Sequence, residues 1–188
     1  MNQYQIIYAD PPWNGLGWNN GSGLKCPANH YAVQDIEWIK NLPVKTISDN
    51  PCALFLWVTF PNLPNGLAVI KSWGFKYSTC AFNWVKRNKK SDGYFVGCGN
   101  YTRANSEVCL LGTKGKCQLF RKSRSVRQIC DARRLSHSEK PPEIRDRIVE
   151  LFGDVARVEL FARQKTEGWD VWGNEVESDI DIHAEAKI

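Results

Sequence analysis

Short apolar runs alternate with amphipathic stretches along this chain, and that order predicts an α/β layer fold around a buried sheet. Three observations carry the reading. Ala53 to Val58 is a near-continuous apolar run, the pattern of a strand covered on both faces as in parallel sheets. Ile144, Ile148, Leu151 and Phe152 fall at i, i+4, i+7 and i+8, one face of a helix. Strand-like and helix-like stretches succeed one another through the 188 residues with no repeat, low-complexity run or linker. The length suits one domain over 1–176, followed by a polar tail over 177–188 that is expected to fray.

The first element, Ile6-Ile7-Tyr8-Ala9, reads as a short buried strand. Asp10-Pro11-Pro12-Trp13 cannot continue it, because two prolines remove two donors and fix two φ angles. The chain therefore leaves the sheet in a stiff corner at a strand's C-terminal end, where ligands bind in open α/β sheets. The corner presents a carboxylate, a carbonyl and an indole together. An amine conjugated to a ring is a poor nucleophile, since its lone pair is delocalised. Asp10 and the Pro11 carbonyl can accept its two N–H bonds and draw that lone pair out of conjugation. Pro12 stiffens the turn, and Trp13 can stack on the ring. The plain alternative is a strand-ending turn with a half-buried Trp.

The remaining elements follow in order. Asn14 to His30 is a long Gly- and Asn-rich segment, read as a flap over the active face. Asp35 to Lys40 has helical spacing, limited by Pro43. After the Ala53–Val58 strand, Asn62 to Trp73 reads as a helix with Leu63, Leu67 and Ile70 on its buried side, Pro64 in its first turn and Gly74 as a stop. Tyr77 to Lys86 and Ser106 to Leu111 read as strands. Thr113-Lys114-Gly115-Lys116 has the wrong spacing for a phosphate loop, and Gly97-Cys98-Gly99 lacks a third glycine. Pro141-Pro142 opens the clearest helix, and Gly153 closes it. Arg157 to Phe161 is a strand interrupted by Glu159, which must either pair with a neighbouring element or bind a ligand. Trp169 to Asn174 gives a short strand or turn.

Composition narrows the functional classes. Hydrophobic residues make up 43% and charged residues 24%, which are globular values. The longest apolar run, Cys52 to Val58, is too short to span a bilayer, so no membrane association is expected. No secretory signal is visible, and seven cysteines at irregular spacing suit reduced thiols and a cytoplasmic location in a bacterium or phage-infected host. Cys26 and His30 form a close pair without a second pair, so no metal site is expected. The net charge is +5, and between Lys86 and Arg134 only Asp92, Glu107 and Asp131 oppose a dense run of Lys and Arg. Lys86, Arg87, Arg103, Arg121, Lys122 and Arg124 are candidates for phosphate contact, a solvated loop being the alternative.

Taken together, the pieces resemble the DPPW-type adenine-N6 methyltransferases, typified by the catalytic subunit of the eukaryotic mRNA methyladenosine writer and including shorter phage and bacterial DNA-modifying relatives. The matching pieces are Ala9 to Trp13, His30-Tyr31, Leu54 to Thr59, Trp73-Gly74-Phe75, Trp84-Val85-Lys86, Thr102-Arg103 with Glu107, Ser136 to Pro141, Glu159 to Arg163, and Trp169 with Gly173-Asn174-Glu175. The resemblance implies a Rossmann-like, mostly parallel methyltransferase sheet with helices on both faces and S-adenosylmethionine as methyl donor. It also implies a circularly permuted motif order, the catalytic half first. Only nine residues precede Asp10, too few for a βαβ unit.

Carried over by position, Asp10 to Trp13 hold the target amine and base, with Asp10 also near the cofactor. Tyr31 is a second stacking candidate. Ser138 and Lys140 match a loop that meets cofactor and target. Glu159, Phe161 and Arg163 match the strand end around the cofactor's ribose and amino-acid part, and Asn174 and Glu175 an Asn-Gln pair at its adenosine end. Glu175 departs from the family's Gln, and Gln164-Lys165-Thr166 replaces its His-Asn. The resemblance implies direct in-line transfer to the adenine N6 amine, with Asp10 as orienter first and proton acceptor second, and no metal. In duplex DNA the adenine would be flipped out. DNA is preferred to RNA as the nucleic-acid partner, and a homodimer is compatible with the reading. A catalytically silent nucleic-acid-binding subunit of the same fold is the competing class, and a protein-glutamine acceptor is disfavoured by the motif order.

Overall fold

The computed structural model describes residues 3–13, 34–99, 101–136 and 139–183. Its strands are β1 (Tyr4–Ala9), β2 (Ser48–Val58), β3 (Lys76–Arg87), β4 (Ser106–Lys114), β5 (Ile129–Arg133), β6 (Arg157–Leu160) and β7 (Asp170–Trp172). They form one sheet in the order β5-β3-β4-β2-β1-β6-β7. Among these strands only β4 runs against its neighbours, β2 and β3; every other pair is parallel. The last two strands in sequence thus lie directly beside the first, the permuted arrangement of a Rossmann-like sheet.

Strand alternation decides how the core divides. Ile7, Ala9, Leu54 and Leu56 point to one face, against α1 (Ile36–Lys40), α2 (Val44–Ile47) and α3 (Leu63–Ser72). Ile6, Tyr8, Phe55 and Trp57 point to the other, where Ile144, Ile148 and Phe152 of α4 (Glu143–Phe152) cover them. The helices therefore lie on both faces, and β2 is buried throughout Cys52–Val58. Trp73 donates its indole N–H to the Ile39 carbonyl at 2.8 Å, which ties the end of α3 to α1.

Three expectations are corrected. In α3 the buried residues are Gly66, Val69 and Ile70, while Leu67 is exposed. A Cβ on Gly66 would stand 3.2 Å from Val58 Cγ2, so this glycine lets the helix approach the sheet. The stretch expected to be basic loop contains β5, an edge strand that buries Cys130 between exposed Ile129 and Asp131. The described part of the polar stretch after Glu177, as far as His183, is tied down. Val171 donates its N–H to Asp179 Oδ2 at 3.0 Å and its carbonyl accepts the Asp179 N–H at 2.9 Å, which pairs the outer edge of β7. Ile182 is fully buried in the core.

Among the described residues no helix is long and apolar enough to cross a membrane. The six described cysteines, Cys52, Cys80, Cys98, Cys109, Cys117 and Cys130, carry free thiols. The expected flap over 14–30 lies outside the described residues.

Candidate active site

All strands except β4 end on one edge of the sheet, and the proline corner forms the middle of that edge. The Trp13 N–H bonds the Pro11 carbonyl at 2.8 Å, closing a three-residue turn and occupying one of that oxygen's two lone pairs. The Pro12 carbonyl accepts the Gln34 N–H at 3.1 Å, which ties the corner to the start of α1. Trp13 is 8% exposed and donates Nε1–H to the Trp57 carbonyl at 2.9 Å. Its ring braces the corner here rather than presenting an open stacking face. Trp57 in turn donates Nε1–H to the Tyr8 hydroxyl at 2.7 Å.

Lys140 meets Asp10 across 130 positions of sequence, Nζ donating to Oδ2 at 2.6 Å. Each of the two residues is followed by a proline pair, which biases its backbone towards extended conformation. The ion pair is consequently mounted on two stiff supports, and little chain entropy opposes its geometry. Burial pushes the Asp10 carboxyl above the ordinary range, and Lys140 opposes this without cancelling it. Lys140 also lies 3.5 Å from Glu107, which pairs with Lys86 at 2.5 Å. Burial would raise the Glu107 carboxyl, but Lys140 and Lys86 overcome it and hold the group below its usual value. The row Asp10–Lys140–Glu107–Lys86 alternates in sign over an aromatic floor, with Lys140 over Trp57 and Lys86 over Trp84.

In the sequence Glu107 stands out only as one of three acids within the basic run and as a piece of the resemblance; its place between two lysines needs β3, β4 and the chain before α4 to meet. Its signal was an acid at the head of an apolar strand within a basic region.

The ends of β6 and β7 carry the residues expected around a cofactor. Phe161 takes φ 64°, a strained conformation for a residue with a side chain, directly after β6. Its ring packs against Trp172 and Trp38. Arg163 and Glu175 pair at 3.4 Å, and Asn174 is exposed beside them. Arg163 is also close enough to Asp10 to favour its charged form. These groups share the edge with the corner because β6 pairs with β1 through Leu160 opposite Ala9.

Glu159 departs from its expected cofactor role. It points to the α4 face, where Arg145 donates Nε–H and Nη2–H to its two carboxylate oxygens at 2.7 Å each. Both side chains are almost wholly buried, so this is the inter-element salt bridge that the sequence left as an alternative.

The basic candidates divide. Lys86 stands in the charge row; Arg87 ends β3 and holds Asp131 through two bonds of 2.6 Å; Arg103 is exposed near the same edge. Arg121, Lys122 and Arg124 are not there. The Lys122 N–H donates to the Leu151 carbonyl at 2.8 Å, at the far end of α4. That helix runs back along the sheet, so this segment lies about 15 Å from the corner edge, ten residues at 1.5 Å each. Tyr31 and Ser138 lie outside the described residues.

Known proteins bear on this arrangement. The profile of the MT-A70 family matches residues 4–175. A type II methyltransferase, M.MunI of a Mycoplasma species, is 33% identical over 202 residues, spanning 99% of this chain and 84% of that protein. The mouse N(6)-adenine-specific methyltransferase METTL4 is 26% identical across 92% of this chain, which spans 37% of METTL4. The N6-adenosine-methyltransferase non-catalytic subunit MTB of Arabidopsis thaliana is 31% identical over 118 residues, 60% of this chain and 14% of that protein.

Proposed function

The chain belongs to the MT-A70 family of N6-adenine methyltransferases, and from that premise we propose that it transfers a methyl group from S-adenosylmethionine to the N6 amine of adenine in DNA. The observation that carries this reading is the rigid Asp10–Lys140 pair beside the polar ends of β6 and β7.

The donor set at those ends fits the cofactor. Arg163 offers a cation to its carboxylate, Glu175 an acceptor for ribose hydroxyls, Asn174 an amide for the adenosine end, and Phe161 an apolar wall. When bound, S-adenosylmethionine supplies a methyl group already activated by its sulfonium. The chain's own work is orientation. Asp10 accepts one N–H of the target amine and the second lone pair of the Pro11 carbonyl accepts the other, which turns the nitrogen lone pair out of conjugation. The nitrogen becomes acidic as the new bond forms, and Asp10 takes the proton then. Its raised pKa makes it a better acceptor than an ordinary carboxylate. Lys140 holds Asp10 in place and favours its charged form. A flipped adenine reaches this corner; stacking by Trp13 would require the ring to leave its bond to Trp57.

DNA is preferred as acceptor because the chain spans 84% of the type II methyltransferase M.MunI, against 14% of the N6-adenosine-methyltransferase subunit MTB. The test is competition between DNA and RNA oligonucleotides of one sequence, with products digested and identified by mass spectrometry. N6-methyl-2′-deoxyadenosine should dominate; methylation of RNA alone would overturn the acceptor. A silent subunit is disfavoured by the intact Asp10-Pro11-Pro12-Trp13 and its seated Lys140.

A further inference from the structure

Residues 88–105 join β3 to β4 and rise from the edge that holds Lys86 and Glu107. Their base is clamped. Arg87 holds Asp131 and lies 5.1 Å over the Tyr94 ring, Arg134 lies 3.6 Å over Phe95, and Arg133 donates to the Asn88 and Ser91 carbonyls at 3.2 and 2.9 Å. The upper part is closed on itself. The Gly97 N–H donates to the Ala104 carbonyl at 3.0 Å. A Cβ at Gly97 would stand 2.0 Å from that oxygen, and one at Gly99 2.0 Å from the Thr102 oxygen, so both positions require glycine. The result is a braced arm whose end carries Tyr101, fully exposed, with Val96 70% exposed below it.

A rigid mount for an aromatic ring in water is a binding device, because ordering the side chain has been done before the partner arrives. The arm's charge names the partner's sign. Lys89, Lys90 and Arg103 are exposed on it, against Asp92, which faces Arg133 at 3.3 Å. Two copies meeting arm to arm would bring like charges together, whereas a polyanion with flat faces satisfies both the cations and the ring. We propose that this arm is the chain's DNA reader: Tyr101 stacks on a base next to the target adenine, and Lys89, Lys90 and Arg103 hold the flanking phosphates. This rests on the reading above that DNA is the acceptor, and adds which residues meet it.

The test compares wild type with Tyr101→Ala, Tyr101→Phe and the double variant Lys89→Ala/Lys90→Ala. Binding to a labelled duplex containing adenine is followed by anisotropy, methyl transfer by KM and kcat, and assembly by light scattering. Tyr101→Ala should raise Kd and KM for DNA about tenfold or more, and Tyr101→Phe should stay within about twofold. Melting temperature and S-adenosylmethionine affinity should not move. The double variant should flatten the dependence of log Kd on log salt by up to about two. Wild-type affinity in Tyr101→Ala, with the wild-type enzyme active on DNA, overturns this inference alone. A Tyr101→Ala chain that loses a dimer and keeps its DNA affinity overturns it in favour of a contact between copies. A wild-type chain that methylates RNA only overturns both this inference and the acceptor.

Discussion

Replacing Lys140 with methionine removes the ammonium 2.6 Å from Asp10 Oδ2 and keeps most of the apolar stem. Burial already raises the Asp10 carboxyl, and Lys140 is the largest influence against it. A cation at hydrogen-bond distance favours the charged carboxylate, so its loss should raise Asp10 further. Asp10 must be ionised to accept the amine N–H, so the acid limb of kcat should move to higher pH in Lys140→Met. The stability sign agrees. A carboxyl raised in the folded state contributes stability below its unfolded pKa and loses it as pH rises through the folded value. Lys140→Met should therefore lose stability relative to wild type on going from acid to neutral pH. The assay is single-turnover methyl transfer at saturating cofactor across the acid and neutral range. Lys140 is also expected to touch the cofactor, so the midpoint of the limb is the quantity read, not the absolute rate. A slower enzyme with an unmoved acid limb would falsify the claim that Lys140 sets the charge of Asp10.

Glu159→Gln should lower stability by about 3 kcal/mol, because it leaves the buried Arg145 guanidinium without its counter-charge, while cofactor affinity stays near wild type. Thermal melts and calorimetry check this; unchanged melting with lost cofactor binding would return Glu159 to the cofactor site. Neutralising Arg121, Lys122 and Arg124 together should change KM for DNA by no more than about twofold at physiological salt, since that segment stands at the far edge. A loss comparable to that from the arm lysines would contradict the placement. Ile182→Ala should cost about 2–4 kcal/mol, as for other buried isoleucines; chemical denaturation showing no loss would mean that the tail does not dock.

The parts legible in the sequence are those in which local pattern and final environment agree. β2 announces itself because it is buried on both faces, and α4 because proline, apolar spacing and glycine all mark the same helix. The Asp10 corner is legible because two prolines determine the backbone whatever surrounds it. The misreadings have a common cause in partners distant along the chain. Glu159 could be a ligand or a salt bridge until Arg145 is placed opposite it. β5 hides because its inward residues, Cys130 and Ala132, are small and its outward side chains include Asp131 and Arg133, whose charges read as loop. The basic run divides between two edges of the sheet because strands and α4 carry the chain from one edge to the other, which a count of Lys and Arg along the sequence does not resolve. Trp13 has the composition of a stacking residue, but its N–H finds the Trp57 carbonyl and its ring is buried.

The account stands on Asp10 as the group that orients the amine. Asp10→Asn keeps the shape of the side chain, replaces one acceptor oxygen with a donor, and removes the charge. The deciding measurement is methyl transfer from labelled S-adenosylmethionine to adenine-containing DNA by this variant, with cofactor and DNA affinities measured on the same preparation. The account gives near-normal binding of both and a transfer rate lower by about a hundredfold or more. Transfer at the wild-type rate would contradict it.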